Sequence, residues 1–221
     1  MERHLLHRYG SKSGAVAYRH KYERSLSRRL SNRRELAVVD QALVEADVRG
    51  RVLDCPCGAG RLTPTILARA DHVTAVDLSA AMVDEARDAL APLQAGERLD
   101  FAVASVDDLP FDDDHFDAAV CHRLIHHLAD AGARAKVLAE LARVTKKRVV
   151  MSFSDATTFK HRLQSRRGRK RRRVAFEPAQ LREEAARHGL VLRGQPRRLN
   201  GLFSLVAVAV FDVQQERPDR A

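Results

Sequence analysis

The stretch VLDCPCGAGR, residues 52–61, joins an apolar strand pattern to a turn of small residues. Its first two residues are typical of the end of a buried parallel strand, and Asp54 follows them directly. The strand cannot continue through Pro56, because proline lacks a ladder donor and the neighbouring glycines weaken strand order. Gly58 and Gly60 allow a ligand to approach the main chain where a Cβ would collide with it. The stretch therefore predicts a ligand-binding turn at the end of a strand.

The composition is that of a globular chain and excludes several other classes. Its 221 residues are 45% hydrophobic and 31% charged, which suits one large α/β domain. No apolar run approaches the roughly 20 residues of a transmembrane helix, and the N-terminus lacks an apolar core of signal-peptide length. The cysteines, Cys55, Cys57 and Cys121, are too few to ligate a metal and favour a reducing compartment. We expect a cytoplasmic protein with no metal site.

Strand and helix patterns alternate on both sides of the opening stretch. The alternation predicts an α/β fold with a doubly wound, Rossmann-like sheet that is mostly parallel. The last two strands flank Asn200-Gly201, a pair typical of tight turns, and so predict a C-terminal antiparallel hairpin. The predicted strands are RVLDC, HVTAVDL, LDFAVAS, FDAAVCHR, KRVVMSFSD, LVLRGQPRR and GLFSLVAVAVFDV. The predicted helices are SNRRELAVVDQALVEAD, RLTPTILARA, AAMVDEARDALAPL, AGARAKVLAELARVT and EPAQLREEAARHG.

The charge distribution suggests how the chain is organised. Residues 1–30 are predicted to form a basic N-terminal arm, either loosely ordered or made of short helices. One domain is predicted over residues 31–213, with Ser31 as the N-cap of its first helix, followed by a tail over residues 214–221. Within the domain, residues 160–173 form a basic insertion with nine Lys or Arg residues in fourteen.

The residues at the first two strand ends limit the chemistry of the ligand. Asp54 would repel a pyrophosphate, and Gly60 is followed by Arg61 rather than by the Lys-Ser/Thr pair of a phosphate-binding loop. Position 63, which is glycine in a dinucleotide fingerprint, is Thr63. Asp77 ends the second strand, where a carboxylate can bind both hydroxyls of a ribose. A ligand with a ribose, no phosphate and a positive centre fits both acids, and S-adenosylmethionine is such a ligand.

Three segments resemble motifs of the class I S-adenosylmethionine-dependent methyltransferases. VLDCPCGAGRLT resembles the first motif and AVDLSAAMVDEAR the second, while FAVASVDDLPFDDDHFDAAVCHRLIHHL is similar to the third and fourth motifs of the subgroup with the quinone-biosynthesis enzymes. The resemblance covers residues 31–155. It implies an enzyme of this family with S-adenosylmethionine as its cofactor.

The resemblance also implies the residues of the cofactor site. Asp77 would bind the ribose, and His122 stands where the family often contacts the methionine part. Leu78 and Met82 would give apolar packing on the adenine side. Ser105 stands where the family often has an Asp that meets the adenine amino group, so adenine recognition would shift to Val106 and Asp107. Arg34, or its neighbour Arg33, would pair with the cofactor carboxylate. The full predicted set is Arg34, Asp54, Cys55, Pro56, Gly58, Gly60, Asp77, Leu78, Met82, Ser105, Val106 and His122.

The catalytic residues are less well defined, because methyl transfer from a sulfonium depends mainly on orientation. His126 and His127, in CHRLIHHL, could accept a proton from an attacking hydroxyl or amine. The alternative is that they cap or pack the helix that follows.

The acceptor is predicted from charge. The net charge is +10, and the first 34 residues hold ten Lys or Arg residues against two acids. We expect a small-molecule, lipid or glycan acceptor, and an anionic one. The alternatives are an RNA methyltransferase, whose basic insertion would follow the phosphate backbone, and a non-catalytic module with the same fold. Peripheral contact with an anionic membrane is a further expectation from the basic insertion.

Overall fold

A computed structural model describes residues 11–20, 25–159, 161, 163, 174–198 and 205–214 of the chain. Within these ranges, none of the helices combines the length and apolar composition that crossing a bilayer requires.

The core of the fold is a seven-stranded sheet with the strand order β3-β2-β1-β4-β5-β7-β6. The pairs from β3 to β5 are parallel, and β7 runs antiparallel to both β5 and β6. The strands are β1 (Arg51–Asp54), β2 (His72–Asp77), β3 (Leu99–Val103), β4 (Phe116–Cys121), β5 (Thr145–Ser154), β6 (Leu190–Arg198) and β7 (Val206–Val213).

Helices cover both faces of this sheet. They are α1 (Lys12–Arg19), α2 (Leu26–Glu45), α3 (Thr63–Leu67), α4 (Ala80–Leu90), α5 (Ala131–Val144) and α6 (Pro178–Ala186). Val39 of α2 and Ile66 of α3 belong to the apolar core on one face, whereas Leu138 of α5 and Leu181 of α6 belong to the core on the other. The arrangement has three layers, with the sheet between two layers of helices.

The sequence pattern of the last two strands explains their order in the sheet. β7 reads VAVAVFDV and is buried along almost its whole length, as a strand covered on both faces should be. β6 reads LVLRGQPRR, is largely exposed, and contains Pro196, which cannot donate to a ladder. The register of the β6 pairing shifts between Arg193 and Arg197. The last strand therefore lies inside the sheet, and β6 forms its edge.

The predicted fold class is confirmed: the sheet is doubly wound and mostly parallel, and the C-terminal strands are antiparallel. The turn residues Asn200 and Gly201 lie outside the described residues, as does most of the basic insertion.

The start of α2 differs from the prediction. The helix begins at Leu26, and its N-cap is Ser25, whose hydroxyl accepts a hydrogen bond from the backbone N of Arg28 at 3.3 Å. Ser31 is an ordinary helical residue instead. Local capping preference does not distinguish two serines when the arginines between them are good helix formers. The predicted division at residue 30 thus falls inside a continuous helix.

Gly60 has a φ of +74°, and a Cβ there would lie 2.9 Å from Cδ1 of Leu90. Gly60→Ala should therefore lower the free energy of unfolding by about 2 kcal/mol, because it adds crowding to backbone strain. Gly96→Ala is the matched control, since Gly96 has a φ of +56° with nothing near the added Cβ. Denaturant unfolding of both variants should show the larger loss for Gly60→Ala, and equal losses would contradict the packing argument.

Candidate functional site

The carboxyl ends of three neighbouring strands bring the predicted site together. β1, β2 and β4 end at Asp54, Asp77 and Cys121, and β1 lies between the other two. In open α/β sheets, the crevice beyond these strand ends is where ligands bind. The residues that follow each strand therefore define the candidate site.

Asp54 is a fully buried carboxyl group with unused hydrogen-bonding capacity. Its Oδ2 accepts a hydrogen bond from Oγ1 of Thr63 at 2.7 Å. Its Oδ1 is buried and has no hydrogen-bond partner among the described residues. Burial raises the pKa of Asp54 to about 7, although Thr63 and Arg61 oppose this shift. A buried, unsatisfied oxygen is costly, and it is expected where a ligand supplies the missing partner.

The turn after β1 is fastened to β2 by its own backbone. The N–H of Cys57 donates to the carbonyl of Val76 at 2.8 Å, and the N–H of Gly58 donates to Oδ2 of Asp77 at 2.9 Å. Gly58 has a φ of +55°, in the left-handed region that favours glycine. A Cβ at Gly58 would lie 3.5 Å from Cε1 of Tyr18. The bare main chain at Gly58 therefore faces α1.

Asp77 is held in one orientation from two sides. Its Oδ2 accepts from Gly58, and its Oδ1 accepts from the N–H of Ser79 at 2.9 Å. Burial raises the pKa of Asp77, while these two hydrogen bonds lower it. Each carboxylate oxygen can accept a second hydrogen bond. The side chain is thus positioned to receive a pair of hydroxyl donors.

A cluster around Glu35 of α2 forms the other side of the site, at the end of β4. Glu35 is buried, and its carboxylate accepts hydrogen bonds from Nε of Arg123 at 2.6 Å and Nε2 of His122 at 2.6 Å. Nη2 of Arg123 and Nη2 of Arg61 also donate to it, at 2.5 and 3.1 Å. Arg123 has a φ of +61°, a conformation rare outside glycine. The cluster therefore joins α2, the turn after β1 and the end of β4.

The contacts of this cluster decide the charge states of Glu35 and His122. Burial would raise the pKa of Glu35, but hydrogen bonds from His122 and Arg123 and the charge of Arg61 hold it well below its usual range. Burial lowers the pKa of His122 to about 4, so its imidazole is neutral at pH 7. Nε2 of His122 must then carry the proton that it donates to Glu35. The carboxylate of Glu35 thus accepts hydrogen bonds from two guanidinium groups and a neutral imidazole.

The opposite edge of the sheet contains a separate hollow of about 460 Å³, lined by residues that include Arg51, His72, Asp100 and His115. These residues lie at the amino ends of the strands, away from the crevice. Among the described residues, no group of His, Cys, Asp or Glu side chains is arranged to hold a metal ion.

Comparison with known proteins identifies the central part of the chain. A family model described as "Methyltransferase domain" matches residues 52–148, from β1 to the start of β5. Residues 52–148 belong to the methyltransferase domain family. The match includes the turn after β1, Asp77 and the residues that follow β4, which are the parts of the site described above.

Curated relatives of the domain include ubiquinone biosynthesis O-methyltransferases. The protein of that name from Xanthomonas axonopodis pv. citri (strain 306) is 37% identical over 92 residues, which is 41% of this chain and 38% of the relative. The match thus spans less than two fifths of the length of that relative.

Solved methyltransferase structures share the fold at low sequence identity. Magnesium protoporphyrin IX methyltransferase from Synechocystis PCC 6803 with bound SAH has a TM-score of 0.79 at 19% identity, covering 96% of this chain and 100% of that one. An S-adenosylmethionine-dependent methyltransferase from Clostridium acetobutylicum ATCC 824 has a TM-score of 0.70 at 15% identity, covering 90% and 98%. Together, the comparisons confirm the resemblance to S-adenosylmethionine-dependent methyltransferases that the sequence motifs predicted, and the fold that it implies.

Leu78 and Met82, which are predicted to pack on the adenine side of the cofactor, lie at the start of α4. Leu78 is half-buried, whereas Met82 is buried beside Ala59 of the first turn and Ala15 of α1. Ala15 is itself fully buried, so α1 packs over this part of the crevice. Arg19 of α1 also pairs with Glu85 of α4 at 3.0 Å. The first described helix is therefore one wall of the site.

The predicted residues after β3 lie at the next strand end. Ser105 is half-buried, and its hydroxyl donates to the carboxylate of Asp107. This hydrogen bond lowers the pKa of Asp107. Val106 is buried in the apolar core with Leu109. The contribution of these residues to adenine binding stays a prediction.

Arg34 does not lie among the residues that line the crevice. Arg33 and Arg34 are both exposed, and the side chain that α2 directs into the site is that of the next residue, Glu35. A helix turns by about 100° per residue, so neighbours in sequence face different directions. The prediction missed Glu35, yet the pattern contains a signal. Glu35 shares the apolar stripe of Val39 and Ala42, where a charged side chain needs a buried partner.

The two histidines proposed as bases lie in a short 3₁₀ turn, Ile125–His127. His126 is fully buried with its ring 4.5 Å from that of His127, and its backbone carbonyl accepts from the N–H of Val174 at 2.9 Å. These contacts agree with the packing alternative for His126. His127 is half-buried. Their role as bases stays a prediction.

The three cysteines of the chain are structural in character. Cys55, Cys57 and Cys121 are buried free thiols. Burial raises the pKa of each, for Cys121 to about 12, so all three stay protonated and unreactive at neutral pH. Pro56, between the first two, is half-buried.

Removing the charge of Glu35 should destabilise the fold. Glu35→Gln leaves two largely buried guanidinium groups without their carboxylate and should lower the free energy of unfolding by about 3 kcal/mol. Asp40→Asn is the control on the same helix, because Asp40 pairs with Arg69 at the surface, with 39% of its side chain exposed. That control should cost less than about 1 kcal/mol in denaturant unfolding. Similar losses in both variants would show that the cluster is not a buried ionic network.

Asp54 should give stability a distinct pH dependence. Its pKa is raised from 3.8 to about 7, so between these values the folded chain binds more protons than the unfolded chain. The contribution of Asp54 to stability is therefore present at low pH and lost as the pH rises towards 7. The free energy of unfolding of Asp54→Asn, measured relative to that of the wild type, should therefore be higher at about pH 8 than at about pH 5. Urea unfolding at the two pH values tests this, with the exposed Asp71→Asn as the control, and an unchanged difference would refute it.

Proposed function

We propose that this chain binds S-adenosylmethionine in the crevice beyond β1, β2 and β4, and transfers its methyl group to a small-molecule acceptor. The observation that carries the proposal is the pairing of Asp54 and Asp77 around the glycine turn. One acid has a buried oxygen without a partner, and the other is fixed by two backbone amides. The family of residues 52–148 supports the same activity.

The described residues fit the parts of this cofactor. Asp77 would accept the two ribose hydroxyls, and the bare main chain at Gly58 would allow the methionine part to approach. Asp54 would supply a carboxyl oxygen for the positively charged amino group. The guanidinium groups of Arg61 and Arg123 would attract the cofactor carboxylate, in place of the exposed Arg34. When bound, the cofactor supplies a methyl group activated by the adjacent sulfonium.

The chain itself has mainly to orient and enclose the reactants. Holding a nucleophile in line with an activated methyl group is worth several kcal/mol, roughly 7–11 in the best intramolecular cases. Tyr18 and Ala15 of α1 would close the crevice on the side of Gly58 and help to exclude water. We keep His127 and the buried His126 as the candidates that accept a proton from the acceptor.

The acceptor we propose is a small molecule with an anionic group, of the lipid or glycan type, in the cytoplasm. A net charge of +10 favours an anion. Curated relatives named for O-methylation in ubiquinone biosynthesis support a hydroxyl as the methylated group and a lipid among these classes. The RNA alternative depended on the basic insertion, most of which lies outside the described residues.

Isothermal titration with S-adenosylmethionine tests the cofactor site. Asp77→Asn should weaken binding by about 10- to 100-fold, because two charge-assisted hydrogen bonds to the ribose become weaker. Asp100→Asn is the control, since this exposed carboxylate lies on β3 at the opposite edge and pairs with His72. Unchanged binding in Asp77→Asn, with the fold intact by circular dichroism, would overturn the proposed site.

The acceptor can be found by mass spectrometry of a cell extract incubated with the protein and an isotope-labelled methyl donor. A labelled small molecule, absent with Asp77→Asn, is the expected result. Label in RNA would favour the RNA alternative, and binding of the donor without any labelled product would favour the non-catalytic module.

A further inference from the structure

The first part of α2 extends away from the body of the protein. From Ser25 to Arg34, every residue except Asn32 is exposed. Leu26 is 82% exposed and Leu30 50%, although leucine is normally among the most buried residues. These two leucines need an explanation that the core of the protein does not provide.

The direction of the leucines excludes the sheet as their partner. At about 100° per residue, Leu26 and Leu30 fall on one stripe of the helix. Glu35, Val39 and Ala42, three of the four buried residues of α2, fall on the opposite side. The leucines therefore do not continue the core-facing stripe. They point away from the face on which α2 packs.

Positive charge surrounds this apolar stripe. Arg29 and Arg33 lie on one side of it and Arg34 on the other, all of them exposed. No acidic residue occurs between Ser25 and Arg34. A pair of leucines flanked by arginines matches an anionic bilayer, because the leucines can enter the acyl region while the arginines reach the phosphates.

The exposed start of α2 lies close to the candidate site. Glu35 contacts His122 and Arg61 at the carboxyl edge of the sheet, so the preceding turns of α2 extend about 14 Å beyond that edge. The segment after β5 leaves the sheet at the same edge and carries Phe159, which is 53% exposed. Apolar side chains from two parts of the chain therefore project on the side where the crevice opens.

We propose that the exposed start of α2, from Ser25 to Arg34, with Leu26 and Leu30 at its centre, docks the protein on an anionic lipid bilayer with the crevice turned towards the membrane. Docking would bring a lipid-phase acceptor to the site, and in this respect the inference rests on the proposed function. The docking surface itself contains no residue of the cofactor site that the structure describes.

Vesicle co-sedimentation tests the docking surface. The wild type should bind vesicles of equimolar phosphatidylcholine and phosphatidylglycerol, and bind much less to phosphatidylcholine alone. The double variant L26S/L30S, which keeps every charge, should show a partition coefficient at least about tenfold lower. Val44→Ser is the matched control, because Val44 is 56% exposed on the same helix but at its other end. That variant should bind like the wild type.

Four outcomes would overturn the proposal. The wild type does not sediment with the anionic vesicles, or L26S/L30S binds them as the wild type does, which would indicate attraction by charge alone. Val44→Ser weakens binding as much as the double variant. Sedimentation velocity without vesicles shows a dimer that L26S/L30S dissociates, which would assign the leucines to a second copy of the chain.

Titration with S-adenosylmethionine separates this inference from the proposed function. L26S/L30S should bind the cofactor as the wild type does, while losing the vesicles. Wild-type protein that docks on vesicles but does not bind the cofactor would leave the docking surface in place and refute the proposed function.

Discussion

The hydrogen bond from the backbone of Gly58 to the carboxylate of Asp77 is the contact on which the site depends. It joins the turn after β1 to the end of β2, so the two strand ends cannot separate without breaking it. Gly58 can supply this donor because its left-handed backbone turns the N–H towards β2. The same bond fixes the orientation of Asp77. One interaction therefore shapes both the glycine turn and the acid that we propose binds the ribose.

Glu35 has the corresponding role on the other side of the crevice. It is the point where α2, the first turn and the end of β4 meet. A buried carboxylate with two guanidinium partners adds little net stability compared with an apolar core, but it is costly to disturb. Its geometry holds Arg61 and Arg123 close together in the crevice. The cluster thus holds two guanidinium groups on the side of the crevice to which we assign the cofactor carboxylate.

The sequence predicted those features that depend on local pattern. The alternation of strands and helices, the glycine turn and the acid at the end of β2 all follow from neighbouring residues. Glu35 could not be placed in the same way, because its partners lie far along the chain and become neighbours only after folding. Arg34 was chosen by its distance in sequence from Asp54, and a rotation of one residue on the helix separates it from the site. The start of α2 was missed because two serines could cap it equally well.

The edge strand β6 has a consequence for how the molecule behaves in a crowded solution. An exposed strand edge invites pairing with a strand of another molecule. Here the edge contains Pro196, a shift of register and three arginines, Arg193, Arg197 and Arg198. Each arginine is held by an acid of the same chain, and the irregular backbone offers a poor template for further pairing. The hydrophobic strand most prone to aggregation, β7, is shielded behind it.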